Sequence, residues 1–346
     1  MAESMHAAVL YGREDVRLEE MNVPRVAEGE ILVRVRVALT CGTDVKVFRR
    51  GYHARMIKPP STFGHEFAGE VIDVGRGVTK FRAGDRVVAS NSAPCDVCFY
   101  CRHGQANLCE DLLFNNGAYA EYLRLPRRIV ERNTYRLPAH VSFADAALME
   151  PLACVVHGIN ETGVKRGDTV TIIGPGPIGI MLVRIAKQRG ARVIMVGRRK
   201  AQVDRALLLG ADQGVFSDDT EEAIEHVRAL TDGRGTDIAI EAVGKPELWA
   251  AAVRMLRRGG KANFFGGCPN GAEVKLPTEL LHYSSLSCLA SFHHTPQSNM
   301  EALAAIAAGQ IKASDLISSE EPLSSVPAVL ARLAHQNGVL KTAIIP

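Results

Sequence analysis

Through Ile31-Leu32-Val33-Arg34-Val35-Arg36-Val37, apolar and basic residues alternate, as they do along a strand with one buried face. Two more strand-like runs, 64–74 and 86–89, are punctuated by Gly75, Gly77, Gly84 and Asp85. The first third therefore reads as β-rich. After Glu150-Pro151 the pattern changes. Strands are predicted over 169–173, 192–196, 213–216, 237–241 and 261–265, alternating with helices over 178–189, 200–209, 221–230 and 246–256. Successive strand–helix units imply an α/β domain with a parallel, doubly wound sheet and right-handed crossovers. A further strand is expected over 286–292. Beyond it a helix over 300–308, a short strand and a helix over 326–335 leave the pattern and are expected to return to the first domain. The organisation expected is thus 1–150 with 295–346, and 151–294, without internal repeat or flexible linker.

Composition agrees with two globular domains: 346 residues, 47% hydrophobic and 23% charged. A formal charge of +3 is too small to argue for nucleic acid or an anionic membrane surface as partner. The start, 1–12, has no cationic head followed by an apolar core, and the most apolar stretch, 170–186, contains Gly and Pro. A cytoplasmic protein is expected.

Cys95, Cys98, Cys101 and Cys109 form a C-x2-C-x2-C-x7-C run in a segment, 94–110, that has no periodicity. Four thiolates so close suit a closed tetrahedral zinc site, with sulfur at about 2.3 Å from the metal. Disulfides are disfavoured, because such near neighbours cannot form several unstrained bridges. Upstream, Cys41 and His65-Glu66 are the mixed ligands expected of a second zinc with an open position. Cys154, Cys268 and Cys288 sit among apolar residues and read as small core side chains.

Gly174-Pro175-Gly176-Pro177-Ile178-Gly179 follows an apolar strand and opens a helix, the setting in which such a run binds a dinucleotide. Gly174 allows the tight turn, Gly176 lets backbone approach the pyrophosphate, and Gly179 permits close helix–strand contact. An acidic residue about 20 positions on would bind the ribose 2′-hydroxyl of NAD. Here Gly197 stands at that place, followed by Arg198 and Arg199, so NADP(H) is expected ahead of NAD(H). Ala242-Val243-Gly244 and Gly266-Gly267 end strands on the ligand-binding edge and are expected to line the nicotinamide half.

Gly64-His65-Glu66-Phe67-Ala68-Gly69 with Gly75 and Val78, Cys41-Gly42-Thr43-Asp44, the cysteine lobe and the glycine run resemble, in order and spacing, the zinc-dependent medium-chain alcohol dehydrogenase superfamily. Met149-Glu150-Pro151-Leu152 makes the sorbitol, polyol and threonine dehydrogenase branch the most similar. The resemblance implies a β-rich GroES-like catalytic domain, a Rossmann domain and two zinc ions per chain, one catalytic and one structural. It implies Cys41 and His65 as zinc ligands, with Glu66 and Glu150 binding directly or through water. Cys154, one helical turn beyond Glu150, stays a rival. It also implies that Thr43 takes the substrate proton and that Asp44 orients His65. Where many relatives carry His, this chain has Lys46, whose role is left open. The expected function is reversible hydride transfer between a secondary alcohol, polyol or sugar-derived, and NADP(H). An NAD-dependent threonine or simple alcohol dehydrogenase is the alternative, and a zinc-binding nucleic-acid module the non-enzymatic one. Phe292-His293-His294 departs from the Phe-Arg of sorbitol-type enzymes, which makes His293 a candidate for polar recognition or a surface residue. Phe114, Asn115 and Asn116 are candidate pocket walls. A small alcohol or ketone is the expected partner, and a homotetramer, or else a dimer, the expected assembly.

Overall fold

The computed structural model describes residues 3–53, 55–335 and 340–346. It divides into two compact units, Met1–Ala153 with His294–Pro346, and Cys154–His293.

The first unit is organised by the strand Ile31–Leu39, whose valines turn inward while Arg34 and Arg36 face out. The mixed sheet runs in the order Thr134–Arg136, Arg86–Ala89, Glu66–Val74, Ile31–Leu39, Lys341–Ile345, Ile317–Pro322, with Tyr122–Leu125 also paired to Ile31–Leu39. Leu10, Ile31, Phe63, Tyr119, Leu125 and Ile129 are fully buried in its core. Two of the elements that the residue pattern did not show bear directly on the site. The helix Gly42–Arg50 contains Val45, Val47 and Phe48, which favour a strand locally. Its ends decide otherwise: Cys41 and Asp44 form a reciprocal cap, and Gly51 closes the helix at φ 84°. The strand Lys341–Ile345 is too short to show a period. It forms because Ala343 and Ile344 pair antiparallel with Leu39 and Ala38 and are fully buried.

The second unit holds a six-stranded parallel sheet in the order Gln213–Phe216, Arg192–Gly197, Thr169–Ile173, Thr236–Glu241, Leu256–Phe264, Ser287–Ala290. Numbered along the chain this is 3-2-1-4-5-6, the order that opens a ligand crevice where the direction of winding reverses. Leu256–Phe264 begins earlier than the expected 261, because the register shifts between Thr236 and Ile238 and accommodates Arg257 to Gly260. The last strand is shorter than expected. In the first unit, the helix Pro296–Ala307 starts before Met300, capped by Thr295 with Ser298 and with Pro at its first turn.

Candidate metal and dinucleotide sites

The lobe cysteines converge. Cys95, Cys98, Cys101 and Cys109 place their sulfurs within 4.8 Å of one another. Sγ of Cys98 and Sγ of Cys109 are 3.9 Å apart. Tetrahedral zinc–sulfur bonds of ~2.3 Å put sulfurs about 3.8 Å apart, whereas a disulfide needs about 2 Å. Backbone N–H groups of Cys101 and Glu110 pull the Cys98 thiol down to about 6, whereas burial pushes the Cys101 thiol up to about 12 and raises Cys109. A metal takes the thiolate form.

The second group is built around the helix Gly42–Arg50. Cys41 caps it, its Sγ accepting from the Thr43 N–H at 3.4 Å. Asp44 sits in the first turn and is 1% exposed. Its Oδ1 lies 3.0 Å from His65 Nδ1, and its Oδ2 takes the Cys41 N–H at 3.1 Å and faces Tyr119 Oη at 2.5 Å. Asp44 thereby fixes the histidine ring and leaves Nε2 for a ligand. Burial opposes charge on His65, but the Asp44 carboxylate and the Cys41 thiol outweigh it and raise its pKa well above the ordinary range. Cys41, His65 and Glu66 bring ligand atoms within 4.8 Å of one another.

Glu66, wholly buried, is not idle. Lys341 Nζ donates to its Oε1 at 2.7 Å and its Oε2 at 2.5 Å, and to the Thr40 carbonyl at 3.0 Å. Burial alone would lower the Lys341 pKa, yet Glu66 and the Cys41 thiol raise it, so the ammonium is charged. Nothing in the residue pattern pointed to Lys341 or to Tyr119. Both reach the site through strand register and tertiary packing. Glu150, in the helix Met149–Thr162, is pushed to about 7 by burial and by the like charges of Glu66 and Asp44, against the pull of His65 and Lys341. Cys41, Asp44, Glu66 and Glu150 thus crowd four acidic groups against two cationic ones, Lys341 and His65. A divalent cation on the thiol, imidazole and carboxylate resolves that imbalance, and the donor set is one that zinc accepts. Thr43 is half-buried at the helix start and Lys46 is exposed on the same helix. Cys154 lies one turn beyond Glu150, past the unit boundary. Asn116 is tied to the Met56 carbonyl by its Nδ2 at 2.8 Å, and Asn115 to that of Arg124 at 3.1 Å.

In the second unit, Gly174, Gly197, Val243 with Gly244, and Gly266 with Gly267 all lie at or just past carboxyl ends of the parallel strands. Gly176 caps the helix Pro177–Gln188 without a side chain, leaving its first N–H groups to a phosphate. A Cβ at Gly179 would stand 1.9 Å from the Gly174 carbonyl, whereas open space lies where a Gly176 Cβ would be. These residues fit a dinucleotide. Arg198 is exposed, Arg199 half-buried at the start of the next helix, and Ile178 half-buried in the first turn of the glycine-run helix.

Glu241 was also missed. Its buried carboxylate accepts the N–H groups of Val243 and Gly244 at 2.9 Å each, while Trp249 Nε1 donates to the Gly266 carbonyl at 3.0 Å. Burial lifts the Glu241 pKa to about 7 against those N–H groups. Folding is then helped below the ordinary value of 4.5, and that help is lost as pH rises through about 7. Glu241→Gln should therefore gain stability on the native protein across that interval, by roughly 3 kcal/mol at most, in denaturant titrations at pH 5 and pH 8.

Two family models match: the alcohol dehydrogenase GroES-like domain over residues 27–138 and the zinc-binding dehydrogenase domain over 177–308. A sorbitol dehydrogenase of Bombyx mori is 31% identical over 98% of both chains. An L-threonine 3-dehydrogenase of Bacillus licheniformis is 34% identical over 73% of both. A solved structure from Sinorhizobium meliloti 1021, described as a zinc-binding dehydrogenase bound to NADP, superposes with a TM-score of 0.91 at 29% identity over the whole of both chains. Thiol, imidazole and carboxylate gathered in a GroES-like unit, a glycine cradle on a 3-2-1-4-5-6 sheet, and these relatives agree: the chain belongs to the zinc-dependent medium-chain dehydrogenases, in their polyol branch.

Proposed function

We propose that the chain reversibly oxidises a secondary hydroxyl of a polyol or sugar-derived alcohol, with NADP(H) preferred to NAD(H) and two zinc ions per chain. The observation that carries this reading is the His65 ring, held at Nδ1 by Asp44 beside the Cys41 thiol. Cys41 and His65 would hold the catalytic ion, with Glu66 or Glu150 completing it. Bound there, zinc supplies the Lewis acidity that lowers the pKa of a hydroxyl and polarises a carbonyl. The chain does the rest. Asp44 keeps the proton of His65 on Nδ1, Lys341 holds Glu66, and Thr43 Oγ1 takes up the substrate proton. Similarity to a sorbitol dehydrogenase supports polyols as the substrate class.

Gly197 supports the cofactor preference on steric grounds. A Cβ at this position would stand 2.5 Å from Cγ of Pro175, so a ribose-binding carboxylate has no room. The neighbouring guanidinium groups of Arg198 and Arg199 suit a 2′-phosphate instead. Replacing both arginines by alanine should raise KM for NADP⁺ about tenfold or more while changing KM for NAD⁺ little. Steady-state kinetics with both cofactors check it. A native enzyme that favours NAD⁺ would refute the preference.

The test of the reaction is a panel of polyols, amino alcohols and simple alcohols with each cofactor, before and after chelation. Polyol turnover that disappears with the metal is expected. Metal-independent turnover, or none on any alcohol, contradicts the reading. No helix among the described residues is long and apolar enough to cross a membrane. The edge strand Ser287–Ala290, flanked by exposed Tyr283 and Phe292, supports self-association into a homotetramer, or a dimer, which light scattering would count.

A further inference from the structure

Tyr119 is fully buried, and the chain builds a seat for it. Its N–H donates to the Phe63 carbonyl at 2.9 Å, and its carbonyl accepts from the Ala8 N–H at 2.8 Å. The Gly64 carbonyl accepts from the N–H groups of Gly117 and Ala118 at 2.9 and 3.1 Å. The ring stands edge-on to Phe63, with centroids 5.9 Å apart. It also lies against Gly64, which has φ 85° and where a Cβ would stand 2.7 Å from the tyrosine ring. The residue that makes room for Tyr119 is thus the one just before His65.

Phenylalanine would fill this seat, so what tyrosine adds is its hydroxyl, with a single proton to give. Asp44 Oδ2, at 2.5 Å, is in the range of a charge-assisted O–H···O⁻ bond, and the Leu39 carbonyl, at 3.1 Å, is a weaker second acceptor. Burial, and after it the Asp44 charge, raise the Tyr119 pKa well above its ordinary value and keep the hydroxyl a donor. Asp44 Oδ2 therefore accepts from Tyr119 and from the Cys41 N–H, at 3.1 Å, while Oδ1 meets His65 Nδ1 at 3.0 Å. Two donors on one oxygen fix the plane of the carboxylate, and with it the oxygen that meets the histidine. Without the hydroxyl, Oδ2 keeps the Cys41 N–H alone, and the carboxylate is freer to turn away from the ring.

We propose that Tyr119 is a positioning residue, whose hydroxyl acts through Asp44 to hold the His65 ring ready for a divalent cation at Nε2. This rests on the zinc reading above. Removing an outer partner of a ligand histidine typically costs about 10- to 100-fold in metal affinity.

The test titrates zinc against a competing chelator into enzyme that keeps its cysteine-bound ion, in the native chain, Tyr119→Phe, Asp44→Asn and the double variant. Y119F should bind zinc about tenfold more weakly than native. In the Asp44→Asn background the same change should alter affinity by less than about threefold, because the residue it acts through is gone. Equal losses in the two backgrounds, or no loss in Y119F whatever its apo melting temperature, make the hydroxyl a core contact only and overturn the proposal. If the native enzyme takes up no second ion, the zinc reading fails, and nitrogen-15 NMR of the histidine rings decides without metal. Exchange of the His65 Nδ1 proton with water should then be about tenfold faster in Y119F, and equal rates overturn the role of Tyr119.

Discussion

Cys41→Ser is expected to lose one of two zinc ions per chain and about a thousandfold in kcat/KM, while the lobe ion remains. The loss follows from the chemistry. Lewis-acid stabilisation of a developing oxyanion is worth several kcal/mol, and each 1.4 kcal/mol is about a factor of ten in rate. Cys41 would be the soft ligand of its group and is the cap of the helix that presents Thr43 and Asp44. A serine can still cap a helix, so the fold should survive. Metal analysis separates the effects: a variant with full zinc and normal turnover would show that Cys41 is a cap and nothing more. The reciprocal change in the lobe, Cys98→Ser, should cost stability before chemistry, because a metal held there would stand in for an apolar core.

Lys341→Met is the second large effect. It deprives the fully buried Glu66 carboxylate of its ion-pair partner, and breaking such a pair from one side costs about 3 to 5 kcal/mol. Two outcomes should appear together. Metal-free protein should melt markedly lower than the native apo form, and added zinc should recover more of the loss than it gives the native protein, since a cation beside Glu66 answers the same charge. The double variant Lys341→Met with Glu66→Gln should recover much of the apo stability, because no buried charge is left alone. Thermal unfolding of apo and zinc-loaded forms of the three proteins checks this. An unchanged apo melting temperature in the single variant would mean that Glu66 is protonated there and the pair is neutral.

The class of fold was readable because its signals are local. Alternating apolar runs and turn residues mark the strand–helix units of the second unit, and a glycine run between a strand and a helix announces its cradle. Cysteine spacing in the lobe is equally local. What could not be read depends on register over long distances. Lys341 meets Glu66 across 275 positions, because Lys341–Ile345 pairs beside Ile31–Leu39. Tyr119 reaches Asp44 through the packed interior. Glu241 is a strand residue whose role shows only when two loop N–H groups turn back on it. His293 and His294 are adjacent in sequence and alike in chemistry. His293 takes a left-handed φ and is half-buried, whereas His294 is buried beside Ser92 and Glu150.

The most direct measurement removes zinc stepwise from purified enzyme with a chelator while recording residual metal and alcohol oxidation on each sample. The account requires activity to vanish with the more accessible of two ions per chain and to return when zinc is restored. Undiminished oxidation in chains that hold only the cysteine-bound ion would contradict it.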